Sequence, residues 1–323
     1  MKGFMAFLAC MLVTVCIAAP TQGITGSTPA RMGITLYVGG SGPGNYTRIQ
    51  DAVDMAHDGD TVFVFDDSSP YNEHVVIKHA ITLRGEAKET TVIDGMSGAH
   101  TLAINASGCT VSGFSIRNTA PNFAGINIAA DMTTIEDTII SYNDYGIATF
   151  WIQNKFFQGI TIRNNTFFSN RFAGIAMTQL ANSTITQNTF TDIVNFSAIH
   201  LVYSHSVLIS NNRMTHNNYG LTLYGCRQCL VTGNNVTGNT QCGIALLDSQ
   251  GNSIVANNFI GNKRNAKFVT LIQHFGNHWD GNYWDDQGRS VYPILGRIAL
   301  QQFAEIGIIP ILQIDWHPAR TPN

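Results

Sequence analysis

The sequence predicts a single-stranded right-handed parallel β-helix, an all-β solenoid of about 9 to 11 coils. The first observation is a motif that returns roughly every two dozen residues between residues 109 and 265. Its leading apolar residue is, in successive copies, Val111, Ile135, Ile162, Ile185, Ile209, Val231 and Ile254. Self-similarity at a fixed period of about 20 to 50 residues is typical of a solenoid.

The second observation identifies the kind of solenoid. Each copy contains two or three runs in which apolar and polar residues alternate, and runs of about 3 to 5 residues are too short for ordinary helices. Asn and Gly stand between the runs, and both tolerate the left-handed backbone conformation that a tight corner requires. Three short strands and three corners per coil, stacked parallel on the next coil, form a parallel β-helix.

A third observation is that asparagine recurs at two places in the motif. One set lies three residues after the leading position, at Asn165, Asn188, Asn212, Asn234 and Asn257. The other set lies eight residues after it, at Asn143, Asn170, Asn217, Asn239 and Asn262. Because equivalent residues of successive coils stack, we expect each set to form a ladder of amide hydrogen bonds. We therefore predict that these asparagines are structural.

The chain divides into five segments. Residues 1–19 are interpreted as a secretory signal, because a basic residue precedes an apolar run and small residues follow it. Residues 20–35 form a linker, 36–108 an N-terminal cap helix with the first coils, 109–265 the Asn/Gly-repeat β-helix, and 266–323 a C-terminal cap and tail. The signal predicts a secreted, cell-surface or periplasm-like location, and no stretch of the mature chain is long and apolar enough to span a membrane.

Both ends of such a solenoid need a cover, since bare strand edges invite association. At the first end, Thr47 and Gln50 have the spacing of a capping box and predict a helix over residues 47–56, with Ile49 and Val53 on its buried face. At the other end, the apolar spacing within residues 296–305 predicts a short amphipathic helix.

Composition argues against a nucleic-acid partner. Charged residues make up 12% of the chain and the formal net charge is −3. A nucleic-acid-binding surface requires clustered Lys and Arg, and no such cluster is present in the sequence.

Cysteine spacing and glycosylation motifs fit an oxidising compartment. Cys226 and Cys229 form a C-x-x-C pair and Cys242 follows in the next coil, so we predict a disulfide between two of the three. A structural metal site would need a fourth ligand at a matching spacing, and none is evident. The candidate glycosylation sites are Asn45, Asn105, Asn164, Asn182, Asn195 and Asn235.

Two stretches resemble known β-helix families. Residues 46–95 resemble the opening of pectin-esterase-like proteins, but that enzyme's catalytic Asp, Gln and Arg motifs have no match here. The Asn/Gly repeats, with GNHWDGNYWDD at residues 276–286, resemble the NosD-like family of archaeal-type secreted or surface β-helix proteins. This resemblance covers residues 36–286 and implies a periplasmic copper-binding protein whose domain is also described as carbohydrate-binding or sugar-hydrolysing.

The sequence departs from the NosD-like pattern after its most specific motif. Many relatives continue with an Asp/Gly-rich segment suited to a cation, whereas this chain continues with QGRSVYPI at residues 287–294. We therefore expect Asp280, Asp285 and Asp286 to be solvated or to cap turns, and a calcium site is not supported by a clear motif.

Alternation places one residue of each main strand outward in a column: Asn127, Ala148, Ala176, His200, Thr222 and Ala245. β-Helix glycosidases and lyases work on such a face with carboxylates, and this column contains none. Asp131 and Asp144 could meet across adjacent coils, but turn capping is the favoured role. His200 and His205 flank one strand and are weak candidate copper ligands.

The favoured candidate site is aromatic. An unusually long gap between two copies predicts an excursion over residues 150–157, and exposed aromatic patches usually mean contact with a ligand such as a sugar. The alternative is that the excursion folds its rings back onto the coil. The candidate ligand-binding residues are Phe150, Trp151, Phe156, Phe157, Tyr224 and His200.

Three functions follow from these features. The first is non-catalytic binding of a polysaccharide or another surface component along the long face, without a cofactor. The second is a β-helix polysaccharide hydrolase or lyase, which would require paired carboxylates on that face. The third is copper binding in the maturation of a metalloenzyme, which would require several His, Met or Cys groups to converge.

Overall fold

The computed structural model describes residues 32–150, 155–271, 276–288, 290–301 and 304–323. The predicted signal at residues 1–19 and the candidate Trp151 lie outside the described residues. Residues 32–323 form one compact unit. Short strands, each following the last around a common axis, build three long sheets in this unit.

Sheet A begins each turn and contains twelve strands. They are β1 (Thr35–Val38), β2 (Thr61–Val64), β5 (Thr82–Gly85), β8 (Thr110–Ser112), β11 (Thr134–Glu136), β14 (Phe157–Gln158), β15 (Thr161–Arg163), β18 (Leu180–Thr186), β21 (His205–Ser210), β24 (Leu230–Thr232), β27 (Ser253–Val255) and β30 (His278–Asp280).

Sheet B follows and contains ten strands. They are β3 (Tyr71–Asn72), β6 (Val92–Asp94), β9 (Ser115–Arg117), β12 (Ile139–Ser141), β16 (Thr166–Phe168), β19 (Thr189–Thr191), β22 (Arg213–Thr215), β25 (Asn235–Thr237), β28 (Asn258–Ile260) and β31 (Tyr283–Trp284).

Sheet C closes each turn and contains eleven strands. They are β4 (Val75–Ile77), β7 (Leu102–Ile104), β10 (Ala124–Ile128), β13 (Tyr145–Thr149), β17 (Ala173–Thr178), β20 (Ser197–Val202), β23 (Tyr219–Tyr224), β26 (Cys242–Leu247), β29 (Ala266–Leu271), β32 (Tyr292–Gln301) and β33 (Ala304–Asp315). The one helix in the described residues is α1 (Ile49–Met55).

The register between turns confirms the predicted fold. Ile135 pairs with Val111 on one side and with Ile162 on the other, so the leading positions of the motif stack directly. In sheet C, Ala176 pairs with His200, which confirms that the predicted column stacks in register, although Ala148, Thr222 and Ala245 in this column are buried. The chain is therefore a right-handed parallel β-helix, as the repeat spacing predicted.

The core consists of columns of stacked apolar side chains. Phe167 and Phe190, from adjacent strands of sheet B, lie with ring centroids 4.5 Å apart and planes 10° from parallel. Near the C-terminal end, Trp284 stacks on Phe259 at 4.6 Å and on Tyr292 at 4.2 Å. Burying side chains of this size contributes roughly 1.5–3 kcal/mol each, so the solenoid gains stability with every turn.

The first asparagine set forms the predicted ladder. Each Nδ2 donates to the Oδ1 of the next asparagine at 2.9–3.1 Å, from Asn165 through to Asn257 and on to Asn282. The same Oδ1 also accepts the backbone N–H of the preceding asparagine, as between Asn188 and Asn212. These amides are buried, so each rung satisfies donors that water cannot reach.

The second set forms shorter ladders. Asn143 donates to Asn170 at 3.2 Å, and Asn239 donates to Asn262 at 2.8 Å. Between these two segments the corresponding place is taken by Ile193, whose backbone N–H donates to Asn217. The ladder prediction is therefore confirmed, with an interruption at one turn.

A buried carboxylate ends the first ladder. Asn282 donates its Nδ2 to Asp315 at 3.0 Å, and Trp284 donates its indole N–H to the same oxygen at 3.1 Å. Asp315 is 0% exposed. Every amide in the row donates toward the C-terminal end, so the last donor needs an acceptor, and Asp315 supplies it.

The N-terminal helix forms, but it is capped differently from the prediction. Ile49, Ala52 and Val53 are buried against the first turn, as the apolar spacing predicted. The capping box is wrong, because no side chain at the N-cap accepts a hydrogen bond. Instead, the Glu73 carboxylate accepts the N–H groups of Ile49 and Gln50 at 2.8 and 3.0 Å. A negative charge at this end also matches the helix dipole.

The predicted C-terminal helix over residues 296–305 is wrong. Residues 296–301 belong to β32 and residues 304–305 to the start of β33, and these two strands form an antiparallel pair at the end of sheet C. Strand β29 would otherwise leave its backbone groups unpaired, and β32 pairs with it from Phe268 opposite Gly296 onward. Pairing at a free sheet edge therefore overrides the local helical spacing.

We predict that Asn212→Ala lowers the free energy of unfolding by about 2–4 kcal/mol, because it leaves two buried donors of Asn188 without their acceptor. Urea unfolding followed by circular dichroism measures the change. Asn105→Ala, at an exposed position outside the ladders, is the control and should change stability by less than about 0.5 kcal/mol. Equal losses in the two variants would contradict a stabilising ladder.

We also predict that Asp315→Ala destabilises the C-terminal turns more than Asp315→Asn does, because the asparagine retains one oxygen acceptor for the Asn282 amide. Hydrogen exchange should report faster exchange at the Asn282 and His317 amides in Asp315→Ala, since both donate to Asp315. Unchanged exchange at both amides would show that the carboxylate does not hold this end.

Candidate ligand-binding surface

A row of aromatic residues follows the corner where the chain enters sheet C. Each turn from β7 to β23 contributes one ring, placed one or two residues before the first buried apolar residue of the strand. We call this row the aromatic ribbon. It consists of His100, Phe123, Tyr145, Phe172, Phe196 and Tyr219.

The rings of the aromatic ribbon contact one another. Phe172 stacks on Phe196 with centroids 5.2 Å apart, and the neighbouring rings Tyr145 and Tyr219 lie 5.0 and 5.9 Å away from these two. Six turns at about 4.8 Å per step give the row a length of roughly 24 Å. The rings are half-buried or, for Phe123, 37% exposed, so their outer faces remain accessible.

Phe150 connects the pair His100 and Phe123 with the rings from Tyr145 onward. Its ring lies 5.4 Å from His100 and 6.2 Å from Tyr145. His100 in turn contacts Phe123 edge to face at 5.0 Å. The aromatic surface is therefore continuous over six turns.

Tight backbone packing explains why the rings lie outside the coil. At Gly174, an added Cβ would lie 2.6 Å from the Phe190 ring and 2.7 Å from the Ala198 carbonyl oxygen. The interior of the corner is thus already filled at Gly174, and the Phe172 ring lies on the outer surface, where it contacts Tyr145 and Phe196.

His200 lies beneath the aromatic ribbon as a neutral ring. The Phe196 ring packs edge to face on the His200 ring, with centroids 4.7 Å apart. The Nδ1 atom of His200 is buried without a hydrogen-bonding partner. Burial lowers the pKa of His200 to about 4. The imidazole is therefore uncharged near neutral pH and acts as part of the apolar floor.

His100 is held neutral as well. Its Nδ1 accepts the backbone N–H of Ala124 at 2.9 Å. Burial lowers the pKa of His100, and the nearby His74 adds to this effect. Both histidines of this face thus favour contact with uncharged groups.

The predicted ligand-binding residues are divided among three places. Phe150 and His200 belong to the aromatic surface. Phe156 packs on His205 at 5.1 Å beyond the opposite end of the sheet C strands, whereas Phe157 is buried in β14. Tyr224 packs on Tyr203 at 5.3 Å. The described part of the predicted excursion therefore does not form one cluster.

Sequence reasoning did not find the main members of the aromatic ribbon. They carry a signal, since an aromatic residue stands one or two places before the small residue that opens the strand in five copies of the motif. These missed residues are Phe123, Tyr145, Phe172, Phe196 and Tyr219.

Carboxylates do not converge on this face in the described residues. Asp144 precedes β13, where it pairs with Arg171 at 2.7 Å and accepts the backbone N–H of Asn122. Asp131 follows β10 and accepts the backbone N–H of Gln158 at 3.0 Å. The two acids therefore lie at opposite ends of neighbouring strands and do not meet.

The acidic residues near the C-terminal end form hydrogen bonds within the protein. Asp285 and Asp286 both accept from the Asn265 amide, at 2.9 and 2.8 Å. Asp280 pairs with His317 at 2.8 Å. Asn265 also accepts from Asn262, so Asp285 and Asp286 terminate the second ladder as Asp315 terminates the first.

The cysteines predicted to form a disulfide are buried, free thiols. The Cys226 thiol lies 3.4 Å from the Leu201 carbonyl oxygen and the Cys229 thiol lies 3.5 Å from that of Arg227. Burial raises the pKa of Cys226. Cys242 pairs in register with Tyr219, at the other end of the sheet C strands. A disulfide in an oxidising compartment remains a prediction for the Cys226 and Cys229 pair, while Cys242 lies too far from both.

The candidate glycosylation sites differ in exposure. Asn105, Asn164, Asn182 and Asn195 are exposed, whereas Asn45 and Asn235 are half-buried. Modification remains a prediction at all six. Within the described residues, no helix has the length and apolar character needed to cross a membrane.

The architecture and this outer corner define a right-handed parallel β-helix protein with an aromatic surface along its axis. Residues 75–288, more than half of the chain, match the family model of the periplasmic copper-binding protein NosD. The chain belongs to the NosD family. The search of curated proteins found no match.

Solved structures share the fold at low sequence identity. XylC, solved in complex with xylose, superimposes with a TM-score of 0.54 at 14% identity, over 82% of this chain and 71% of that chain. The enzymatically active domain of tailspike protein 2 from bacteriophage CBA120 gives a TM-score of 0.53 at 12% identity. That match covers 80% of this chain but only 41% of the tailspike chain.

The described residues do not fit a copper site of several ligands. No group of three or more His, Cys, Asp or Glu side chains is placed to hold a metal ion in this part of the chain. His200 faces Phe196 on sheet C, whereas His205 belongs to β21 of sheet A, so the two candidate ligands do not converge. Copper ligation normally requires several N or S donors in one place.

We predict that His200 makes stability depend on pH. Its pKa is about 4 in the folded state and about 6.5 when unfolded, so only the unfolded state gains a proton as the pH falls from 6.5 to 4. Over this range the free energy of unfolding of the wild type should fall by about 3 kcal/mol more than that of His200→Asn. Above pH 7 the two proteins should show no such difference. Urea unfolding at pH 7, 5.5 and 4 measures this difference, and parallel curves for the two proteins would contradict it.

Proposed function

We propose that this protein binds a polysaccharide non-catalytically along the outer face of sheet C. The observation that carries the proposal is the continuous row of half-exposed rings over six turns. Aromatic faces pack against the apolar faces of sugar rings, and a row at regular spacing suits a polymer better than a single sugar. The polysaccharide would lie parallel to the solenoid axis.

The scaffold favours binding without rearrangement. The rings are attached to turns whose register is held by buried amide ladders, so little conformational entropy is lost when a ligand is bound. Burial favours the neutral forms of His100 and His200 near neutral pH, so neither imidazole adds a charge to this surface. Both features suit contact with the flat apolar face of a sugar ring.

The comparisons are compatible with this proposal. XylC was solved with xylose, a sugar, and it shares the fold with this chain. The NosD family is described as periplasmic, so a polysaccharide or another component of the cell surface would be within reach. We propose a secreted, cell-surface or periplasmic location on the same basis.

The described geometry gives less support to the two other functions. A β-helix hydrolase would need two carboxyl groups within about 5–10 Å on the binding face, and Asp131 and Asp144 occupy opposite ends of the strands. Copper binding would need ligands that converge, and His200 and His205 belong to different sheets.

We predict that Phe172→Ala and Phe196→Ala each weaken polysaccharide binding by about tenfold, since each removes one ring from the middle of the row. A glycan array identifies the ligand, and isothermal titration calorimetry measures the affinity. Phe168→Ala is the matched control, because Phe168 is a half-buried ring on sheet B that packs on Tyr142.

A reducing-sugar assay on the same glycans tests the absence of catalysis. Binding without release of sugar ends supports the proposal. Release of sugar ends would favour a hydrolase or lyase, and binding that Phe168→Ala weakens as much as Phe172→Ala does would place the ligand elsewhere.

A further inference from the structure

Three cations gather where the aromatic ribbon ends. Arg264, Lys267 and Arg297 line a pocket of about 490 Å³ on the last turns of sheet C, together with the apolar side chains of Leu247 and Leu295. Arg264 and Arg297 are exposed and Lys267 is half-buried. No acidic side chain lines this pocket in the described part of the chain.

Lys267 connects the pocket to the aromatic ribbon. Its ammonium group lies 4.7 Å from the ring centroid of Tyr219 and donates a hydrogen bond to the Tyr219 hydroxyl at 3.2 Å. Tyr219 is the last ring of the row. The cationic pocket therefore directly continues the aromatic surface.

The positive charges of the pocket also act on Cys242, the residue that follows Tyr219 in the next turn. Burial raises the pKa of the Cys242 thiol to about 11, and the charges of Lys267 and Arg264 oppose that rise. Cys242 occupies the turn after Tyr219 in the same column. A ligand that continued past Tyr219 would thus enter a positive field.

Two acids of the last turns are already engaged in hydrogen bonds. Asp285 accepts from Gly261 and Asn265, and Asp286 accepts from Asn265 and from the Tyr292 hydroxyl. Their hydrogen-bonding oxygens thus point to the ladder and to Tyr292. The pairing of two strands brings the cations together. Lys267 and Val269 both belong to β29, and Val269 pairs with Arg297 of β32.

We infer that the polysaccharide is acidic and that a uronic acid carboxylate binds between Arg264, Lys267 and Arg297. This inference rests on the proposed function, since it places one acidic sugar of the bound polymer just beyond Tyr219. Arginine presents a planar fork of N–H donors that matches a carboxylate, and the apolar side chains of Leu247 and Leu295 provide a surface for the sugar ring.

The test compares one polymer with and without its carboxylates. Titration calorimetry of the full chain would use oligogalacturonate and the same oligosaccharide after reduction of its carboxyl groups. We expect the acidic form to bind about tenfold more tightly at low salt, and the advantage to shrink as salt is raised. Arg264→Gln and Arg297→Gln should each remove most of that advantage without changing affinity for the reduced form.

Controls separate the two proposals. Arg213→Gln, at an exposed arginine of sheet B, should leave both affinities unchanged. Equal binding of the acidic and reduced forms, lost in Phe172→Ala, would overturn the acidic ligand and keep the polysaccharide. Equally tight binding of dextran sulfate would overturn the carboxylate assignment. Absence of binding to either oligosaccharide, and to every glycan of the array, would overturn both proposals.

Discussion

The hydrogen bond between stacked asparagine amides is the constraint on which the rest of the structure depends. From Asn165 to Asn282 each buried amide donates to the next and accepts from the previous turn at about 3 Å. An amide displaced by one residue would leave both groups unpaired in the interior, at a cost of about 1–3 kcal/mol per group. The ladder therefore fixes the register of the turns that contain it, and the apolar columns of these turns follow from that register.

The same register determines which side chains lie on the outer face and how they align. A shift of one residue would reverse which side chains face outward, since the direction alternates along a strand. The rings of Phe172 and Phe196 stack at 5.2 Å because the turns that carry them are aligned to within one residue. A polar interaction inside the corner thus positions an apolar surface outside it.

Most of the fold could be predicted from the sequence, but the candidate site could not. Residues that stack in the fold recur at a regular spacing in the sequence, so the repeat alone predicts the ladders and the strand register. The Glu73 cap and the β32–β33 pair depend on contacts between distant segments. The alternation of inward and outward side chains along a strand also predicts the wrong direction for rings at the corner. Tyr145 has the same parity as the buried Ile147, yet its ring contacts Phe172 outside the coil, because Tyr145 is the first residue of β13 and stands next to the corner, where alternation does not decide the direction of a side chain.

The direction of the ladders also explains the charge distribution at the C-terminal end. Since every amide donates toward later turns, each ladder must finish on an acceptor, and Asp315, Asp285 and Asp286 occupy those ends. None of these three acids lines the pocket that contains the surface cations. Arg264 and Lys267 stand on the adjoining strand of sheet C and its corner, where no carboxylate lines their pocket in the described residues. The positive end of the aromatic surface is therefore a consequence of how the interior amides are satisfied.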